Sequence, residues 1–184
     1  RELIYTHKGN PLIEIINQTN SRSVNLFAEH MISLIGYEKT KNGSHEKGLS
    51  ILKNHWSSRI DINGLYINDG SGLSRSNAIS AHHFTQLLKY MSTSKYADQF
   101  YKSLPIAGVS GTMSNVCKGQ SGQNRIVAKS GSMNRIKSYA GYATTKEGKK
   151  LAFALIVNNA TCGSSLLKKK MEVLFNKIVS YNPI

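Results

Sequence analysis

The sequence predicts an α+β fold in which helices come first, three strands follow, and a last helix closes the chain. Apolar residues recur at helical spacing through most of the first hundred residues, whereas from residue 125 they alternate with polar ones. The chain has 184 residues with 40% hydrophobic content, so it can bury one core and matches one domain by length.

The first half contains four stretches with the apolar spacing of a helix, at residues 12–19, 26–35, 46–56 and 81–91. Gly36 is expected to end the second helix as its C-cap, and Ser44 is expected to cap the third at its N-terminus. A short strand is predicted at residues 64–67, before the turn at 69–72.

The second half has the period-two pattern of strands at residues 125–130, 137–144 and 150–158. Residues 146–148 form the turn between the last two, so the three strands are expected to make an antiparallel meander. A helix over residues 164–179 ends the chain, and no internal repeat or linker divides it.

The most informative residues, Lys129 to Ser132, end the first predicted strand. A β-branched run gives way there to a cation, a hydroxyl and a position without a side chain. A glycine at an exposed strand edge lets another extended backbone approach, so a peptide with a carboxylate could bind there. The alternative is an ordinary edge strand whose lysine deters aggregation and whose glycine begins a turn.

A second motif, Ser23-Val24-Asn25, precedes the second predicted helix. Its serine and asparagine could simply cap that helix. The order and separation of this Ser-x-Asn element and the later Lys-Ser-Gly element are, however, those of penicillin-binding proteins and class A β-lactamases.

The resemblance extends over nearly the whole chain. Five further segments resemble the D-alanyl-D-alanine carboxypeptidase/endopeptidase family, the class C low-molecular-mass penicillin-binding proteins: residues 11–16, 23–29, 68–75, 104–113, and 128–132 with 138–142. Three kinds of departure are visible: Val24 stands where Asp or Asn is commoner in the family, Ser110 where Asp is common, and Ser130 and Ser132 where Thr is usual.

The resemblance implies a catalytic role for Ser23, Asn25 and Lys129. Ser23 is expected to relay a proton to the leaving nitrogen, and Lys129 to hold that hydroxyl and keep the local field positive. Asn25 is expected to hydrogen-bond the backbone amide on the acyl side of the substrate.

The next three residues are expected to bind substrate. The resemblance implies that Ser130 binds the C-terminal carboxylate and that Gly131 permits the substrate backbone to pass closely. The backbone N–H of Ser132 is expected to be one oxyanion donor.

The nucleophile motif of the family, Ser-x-x-Lys, normally precedes the Ser-x-Asn element. Three such strings occur here, at residues 44–47, 50–53 and 165–168, but all follow Ser23, and solvated helix lysines explain each of them. Residues 1–184 are therefore expected to be the C-terminal portion of a longer penicillin-binding DD-peptidase domain, with a partial β-lactamase/DD-peptidase-like fold and no activity when isolated.

The function implied is that of a serine DD-peptidase that cleaves D-Ala-D-Ala or cross-link amides of peptidoglycan through an acyl-enzyme. Expected partners are peptidoglycan stem peptides, β-lactam antibiotics as inhibitors, and the remainder of the same polypeptide. The location implied is periplasmic or extracytoplasmic. A β-lactamase or esterase of the same superfamily and a non-catalytic cell-wall-binding relative remain as alternatives.

Charge, histidine and cysteine content bear on nucleic-acid binding, metal binding and disulfide formation. The formal charge of +14 raises the possibility of a polyanionic partner, but the basic residues are scattered apart from Lys168 to Lys170, so nucleic acid is not expected as a partner. No cofactor or metal is expected, because His82 and His83 have no ligands at suitable spacing and fit a helix surface. Cys117 and Cys162 could be bridged or free.

Overall fold

The computed structural model describes residues 3–182, which form a helical region, a three-stranded sheet and a C-terminal helix. The α-helices in this part of the chain are α1 (Leu12–Arg22), α2 (Asn25–Thr40), α3 (His45–Ser57), α4 (Ala81–Ser92), α5 (Ala97–Ser103) and α6 (Ser164–Val179). The strands are β1 (Ile126–Met133), β2 (Ile136–Thr144) and β3 (Lys150–Val157), and a 3₁₀ turn spans Gly111–Met113. The predicted α+β fold is confirmed.

The sheet is an antiparallel meander in the order β1-β2-β3, as the alternating pattern predicts. In its register Lys129 faces Ala140 and Gly131 faces Ser138 on β2. The third strand pairs with β2 so that Gly141 faces Phe153. Because successive side chains point to opposite faces of a strand, positions 129 and 131 share one face of β1 and positions 130 and 132 share the other.

The main core lies between the sheet, α6 and the segment before β1. Phe175 of α6 is fully buried and makes edge-to-face contacts with Tyr139 and Phe153, at centroid distances of 5.2 and 5.4 Å. Met113 of the 3₁₀ turn is also fully buried in this cluster. The sheet is therefore fixed on one face by the C-terminal helix, as the apolar spacing of α6 requires.

The helical predictions are mostly confirmed, with one error in α2. Ser44 caps α3, because its hydroxyl accepts a hydrogen bond from the backbone N–H of Lys47. Gly36 does not end α2, which continues to Thr40. Gly36 is buried instead: a Cβ there would lie 2.8 Å from the carbonyl oxygen of Asn42, so the glycine allows the following loop to pack on the helix.

One further prediction about the first half is wrong, and one helix is missed. Residues 64–67 do not form a strand; Tyr66 makes a single bridge with Ala78 on either side of a turn. The sequence pattern also gave no signal for α5, since its seven residues are too short to show a helical repeat.

Both cysteines are free. Cys117 is fully buried in the main core, and Cys162 packs against the same cluster. Burial, together with the nearby Glu172 carboxylate, raises the pKa of the Cys117 thiol to about 12. The thiol is therefore protonated at neutral pH and behaves as a small apolar side chain.

Candidate active site

The fold brings the two predicted motifs into direct contact. The ammonium nitrogen of Lys129 lies 2.8 Å from Ser23 Oγ, although the two residues are 106 positions apart in the chain. A second hydrogen bond runs from the same nitrogen to the backbone carbonyl of Ser130, at 2.7 Å. An ammonium group carries three protons, so two of them are directed at these oxygens and one remains.

The position of Ser23 follows from the short connection between α1 and α2. Ser23 has φ 59° and ψ 50°, the left-handed conformation, and it reverses the chain within two residues. A non-glycine residue in this conformation costs about 1–2 kcal/mol. Val24, and not Ser23, is the N-cap residue of α2, and the Ser23 hydroxyl accepts from Lys129 instead, so the capping alternative is wrong for Ser23.

A contact to α5 holds the end of α1 next to the site. Asn20 donates from Nδ2 to the hydroxyl of Ser103 at 2.8 Å, and Ser103 in turn donates to the carbonyl of Phe100. Ser103 is 2% exposed, so the hydrogen bond from Asn20 reaches a buried group. This arrangement fixes the residue three positions before Ser23.

The electrostatic setting of Lys129 favours an anion. Burial lowers the pKa of the Lys129 side chain below its ordinary value of 10.5. Within residues 3–182, no carboxylate lies within salt-bridge distance of it. A partly buried ammonium without a counterion attracts a ligand that supplies a negative charge.

Ser130 lies beside the 3₁₀ turn that precedes β1. Its hydroxyl is hydrogen-bonded to the hydroxyl of Thr112 at 2.8 Å. Thr112 was not among the predicted site residues, although it falls within the segment 104–113 on which the family resemblance depends. Its exposed position on a short turn gives no periodic signal in the sequence.

Gly131 and Ser132 continue along β1. A Cβ at position 131 would lie 2.5 Å from the hydroxyl of Ser138 on the neighbouring strand, a contact that rotation of the serine side chain can relieve. Ser132 is exposed near the end of the strand, in register with Lys137. Asn25 is also exposed, at the first position of α2.

A loop after α3 is fastened to α2 one turn beyond Asn25. The Glu29 carboxylate accepts hydrogen bonds from the backbone N–H groups of Gly70 and Ser71, at 3.0 and 2.9 Å. Burial acts to raise the pKa of Glu29, but hydrogen bonds from Ser71 and Gly70 outweigh it and hold the pKa below 4.5. His45 Nε2 lies 3.5 Å from the same carboxylate. Sequence reasoning did not single out Glu29.

The same loop is closed on itself by Asp69. Its carboxylate accepts from the backbone N–H groups of Gly72 and Ser74 and from the side chain of Asn77. Burial acts to raise the pKa of Asp69, and these hydrogen bonds lower it overall. The backbone N–H groups of the loop thus donate to two carboxylates, its own Asp69 and Glu29 of α2.

The three Ser-x-x-Lys strings lie within helices or at the start of one. Ser44 caps α3, while Ser50 lies within that helix. The third string lies in α6, where Lys168 donates to the carbonyl of Asn115 at 2.8 Å and lies 3.9 Å from Glu172.

The two adjacent histidines differ from each other. His82 is exposed, as expected of a helix surface, but for His83 that expectation is wrong, because it is 5% exposed. His83 Nδ1 accepts from the backbone N–H of Ser80, and its Nε2 lies 3.0 Å from the carbonyl of Asn63. The described residues contain no group of His, Cys, Asp and Glu side chains suited to a metal ion.

Comparison with known proteins agrees with the geometry. The model of the D-Ala-D-Ala carboxypeptidase 3 (S13) family matches residues 1–177. The D-alanyl-D-alanine carboxypeptidase of Actinomadura sp. (strain R39) is 34% identical over 172 residues, which cover 90% of this chain and 32% of the relative. The chain spans about a third of the length of the curated relatives that it matches.

Solved structures show the same fold. Penicillin binding protein 4 (DacB) of Haemophilus influenzae superposes with a TM-score of 0.85 at 25% identity, over 93% of this chain and 40% of that one. The TLA-1 extended-spectrum β-lactamase superposes with a TM-score of 0.68 at 18% identity, over 92% of this chain and 63% of that one, which shows the fold alone.

Proposed function

This chain belongs to the D-Ala-D-Ala carboxypeptidase 3 (S13) family, and we propose that the protein containing it is a serine DD-peptidase of the bacterial cell wall. The observation that carries the proposal is the 2.8 Å contact between Lys129 Nζ and Ser23 Oγ. It joins the two motifs whose order and spacing are typical of penicillin-binding enzymes. In this proposal, residues 1–184 form the C-terminal portion of the catalytic domain.

The proposed nucleophile lies outside residues 1–184. The chain spans about a third of its curated relatives, so most of their length has no counterpart here. The lysine of the third Ser-x-x-Lys string is bonded to a backbone carbonyl, and the first serine caps a helix. A serine elsewhere in the protein would therefore attack the penultimate D-Ala carbonyl and form the acyl-enzyme, which water then hydrolyses.

Ser23 and Lys129 would deliver a proton to the leaving amine. Because the Lys129 ammonium donates to Ser23 Oγ, that oxygen acts as an acceptor and its own proton is free to point towards the substrate. When Ser23 gives this proton to the departing nitrogen, the adjacent ammonium stabilises the negative charge that develops on the oxygen. Asn25, two residues after Ser23 and the first residue of α2, would hydrogen-bond the backbone amide on the acyl side of the substrate.

The end of β1 would hold the other side of the scissile bond. Ser130 would bind the C-terminal carboxylate near the ammonium of Lys129, for which residues 3–182 supply no carboxylate partner. The backbone N–H of Ser132 would be one oxyanion donor. Removing such a donor typically lowers the rate about 100- to 1,000-fold. Stem peptides of peptidoglycan are the proposed substrates, and β-lactams, which also carry a carboxylate beside an acyl group, are the proposed inhibitors.

The substrate class implies a periplasmic or otherwise extracytoplasmic location. Among the described helices, none has the length and apolar character that a membrane span requires.

Acylation by penicillin tests the proposal. In the full-length protein, Lys129→Ala is expected to lower the rate of covalent penicillin adduct formation by about 100-fold or more, measured by intact-protein mass spectrometry. Lys53→Ala, on the exposed side of α3, is the matched control and should leave the rate unchanged. Equal effects of the two substitutions would contradict the assignment of Lys129.

Isolated residues 1–184 provide a second test. They are expected to form no covalent penicillin adduct, because the proposed nucleophile is elsewhere. A stoichiometric mass increase would show that a serine of this chain is acylated and that the nucleophile assignment is wrong. Rapid turnover of penicillin by the full-length protein, in place of a persistent adduct, would indicate a β-lactamase.

A further inference from the structure

The 3₁₀ turn Gly111–Met113 is packed tightly between α1 and β1. Gly111 has φ 51°, and a Cβ there would lie 2.3 Å from the carbonyl oxygen of Ser21, so the turn lies directly against the end of α1. On the other side of the turn, Met113 is fully buried in the main core. The intervening residue, Thr112, is therefore held at a fixed place although it is itself exposed.

The hydroxyl of Thr112 is hydrogen-bonded to the hydroxyl of Ser130. The two hydroxyl oxygens are 2.8 Å apart, and they connect the 3₁₀ turn to β1. Ser130 is the residue after Lys129, and its backbone carbonyl accepts a hydrogen bond from the Lys129 ammonium. The pair of hydroxyls thus lies next to a positive charge for which the described residues supply no carboxylate within salt-bridge distance.

The Thr112 and Ser130 hydroxyls together have one proton more than their mutual hydrogen bond needs, and an anion can accept it. Each hydroxyl has one proton, and the contact between the two oxygens uses one of them: in the structure Ser130 donates to Thr112 Oγ1. The two hydroxyls can exchange these roles, so that Thr112 donates to Ser130 Oγ and the Ser130 proton turns towards an incoming acceptor. A carboxylate oxygen accepts such a bond well, and charge-assisted hydrogen bonds are about twice as strong as neutral ones.

We infer that Thr112 is a positioning residue for recognition of the C-terminal carboxylate of the substrate, acting through the Ser130 hydroxyl. The inference rests on the proposed function for the identity of the ligand, and it adds a residue outside the Lys-Ser-Gly element to the binding site. Without Thr112, the Ser130 hydroxyl rotates freely and its proton is no longer directed. Binding of a free carboxylate is then weakened, whereas binding of a neutral C-terminus is affected little.

Equilibrium binding to the full-length protein tests this. The ligands are N-acetyl-D-Ala-D-Ala and its C-terminal carboxamide, and the measured quantity is the ratio of their dissociation constants. Thr112→Val, which keeps the shape and removes the hydroxyl, is expected to lower the preference for the carboxylate about 3- to 10-fold. Thr112→Ser should restore it, because it restores the hydroxyl.

Two controls separate this role from a structural one. Thr93→Val, at the exposed end of α4, makes the same chemical change away from the site and should leave the ratio unchanged. In a Ser130→Ala background, Thr112→Val should have no further effect on the ratio, since the proposed role acts through Ser130.

The outcomes are distinct from those of the acylation test. If Thr112→Val keeps the wild-type ratio, or if Thr112→Val and Ser130→Ala lower it independently, the inference is wrong. If the wild-type protein shows no preference for the carboxylate, the inference is also wrong. If the preference and its dependence on Thr112 are found but no peptide is cleaved and no penicillin adduct forms, the inference stands and the proposed function fails.

Discussion

The two regions that meet at the candidate site are built differently. The core region, residues 104–179, contains the largest fully buried side chains, among them Phe175, Met113 and Ile126. The helical layer, formed by α1, α2 and α3, buries far less: α1 has no buried residue, α2 has Ile32 and Gly36, and α3 has Gly48. One region is held by apolar packing, and the other depends on close backbone contacts and hydrogen bonds.

The candidate site lies on the boundary between these regions. Ser23 belongs to the helical layer, whereas Lys129 belongs to the core region. The boundary near the site is held by the Ser23–Lys129 hydrogen bond and by the contact of Gly111 with Ser21. The position of Ser23 relative to Lys129 should therefore be easier to disturb than the strand on which Lys129 lies.

The largest loss of stability is expected from a substitution in the core region. Phe175→Ala removes a ring that is 0% exposed and should lower the free energy of unfolding by about 3–5 kcal/mol. Leu12→Ala in α1, where the side chain is 52% exposed, should change it by less than about 0.5 kcal/mol. Urea unfolding of the full-length protein followed by circular dichroism measures both. Similar losses for the two variants would remove the contrast between the regions.

The next largest effect is expected at the boundary, where two glycines with positive φ provide a matched pair. Gly111→Ala places a Cβ against the Ser21 carbonyl, whereas at Gly119, φ 73°, no atom lies within 4 Å of the added carbon. Both should lose about 1–2 kcal/mol from the left-handed backbone, and Gly111→Ala should lose about 1–3 kcal/mol more from the clash.

Only the boundary variant should disturb the site. Displacing the end of α1 moves Ser23 away from Lys129, so Gly111→Ala is expected to slow penicillin acylation of the full-length protein about tenfold or more, while Gly119→Ala leaves it unchanged. Hydrogen exchange should increase at residues 12–25 in Gly111→Ala. Equal acylation rates in the two variants would mean that this contact does not position Ser23.

The regions also differ in how much of them the sequence predicts. In the core region all three strands and the last helix are predicted to within a few residues, because alternation and helical spacing there reflect one buried face. In the helical layer the end of α2 is missed, since Gly36 is a packing contact as well as a helix-ending residue type. The two uses of glycine look the same in a sequence.

The sequence also predicts only part of the candidate site. The motif order indicates that Ser23 and Lys129 belong to one site, and the structure places them in contact. Thr112 and Glu29 are missed, because their partners are a hydroxyl 18 positions away and a backbone segment 41 positions away. Hydrogen bonds between irregular segments have no periodicity, so a single sequence does not reveal them.

The smallest effect concerns the Glu29 carboxylate, which fastens the loop at residues 70–71 to the helical layer. Its pKa is held below 4.5, so its stabilising contribution is complete above that value and is lost as the pH falls through the lower, folded-state pKa. Glu29→Gln keeps an acceptor for one backbone N–H group and removes the other. Because the carboxylate is partly exposed, the expected loss at pH 7 is about 1 kcal/mol.

The pH dependence distinguishes the contribution of the Glu29 charge from a loss of stability that does not depend on charge. The difference in free energy of unfolding between the wild type and Glu29→Gln should be no smaller at pH 5 than at pH 7, because His45 Nε2 lies 3.5 Å from the carboxylate and any positive charge it gains favours the wild type. The difference should shrink below about pH 4, where Glu29 becomes protonated in the wild type. Glu147→Gln, in the exposed turn before β3, is the control and should change the free energy of unfolding at pH 7 by less than about 0.5 kcal/mol. A Glu29→Gln difference that is the same at pH 3 and pH 7 would mean that the charge of Glu29 does not fasten the loop, and that the helical layer is held there by the shape of the contact alone.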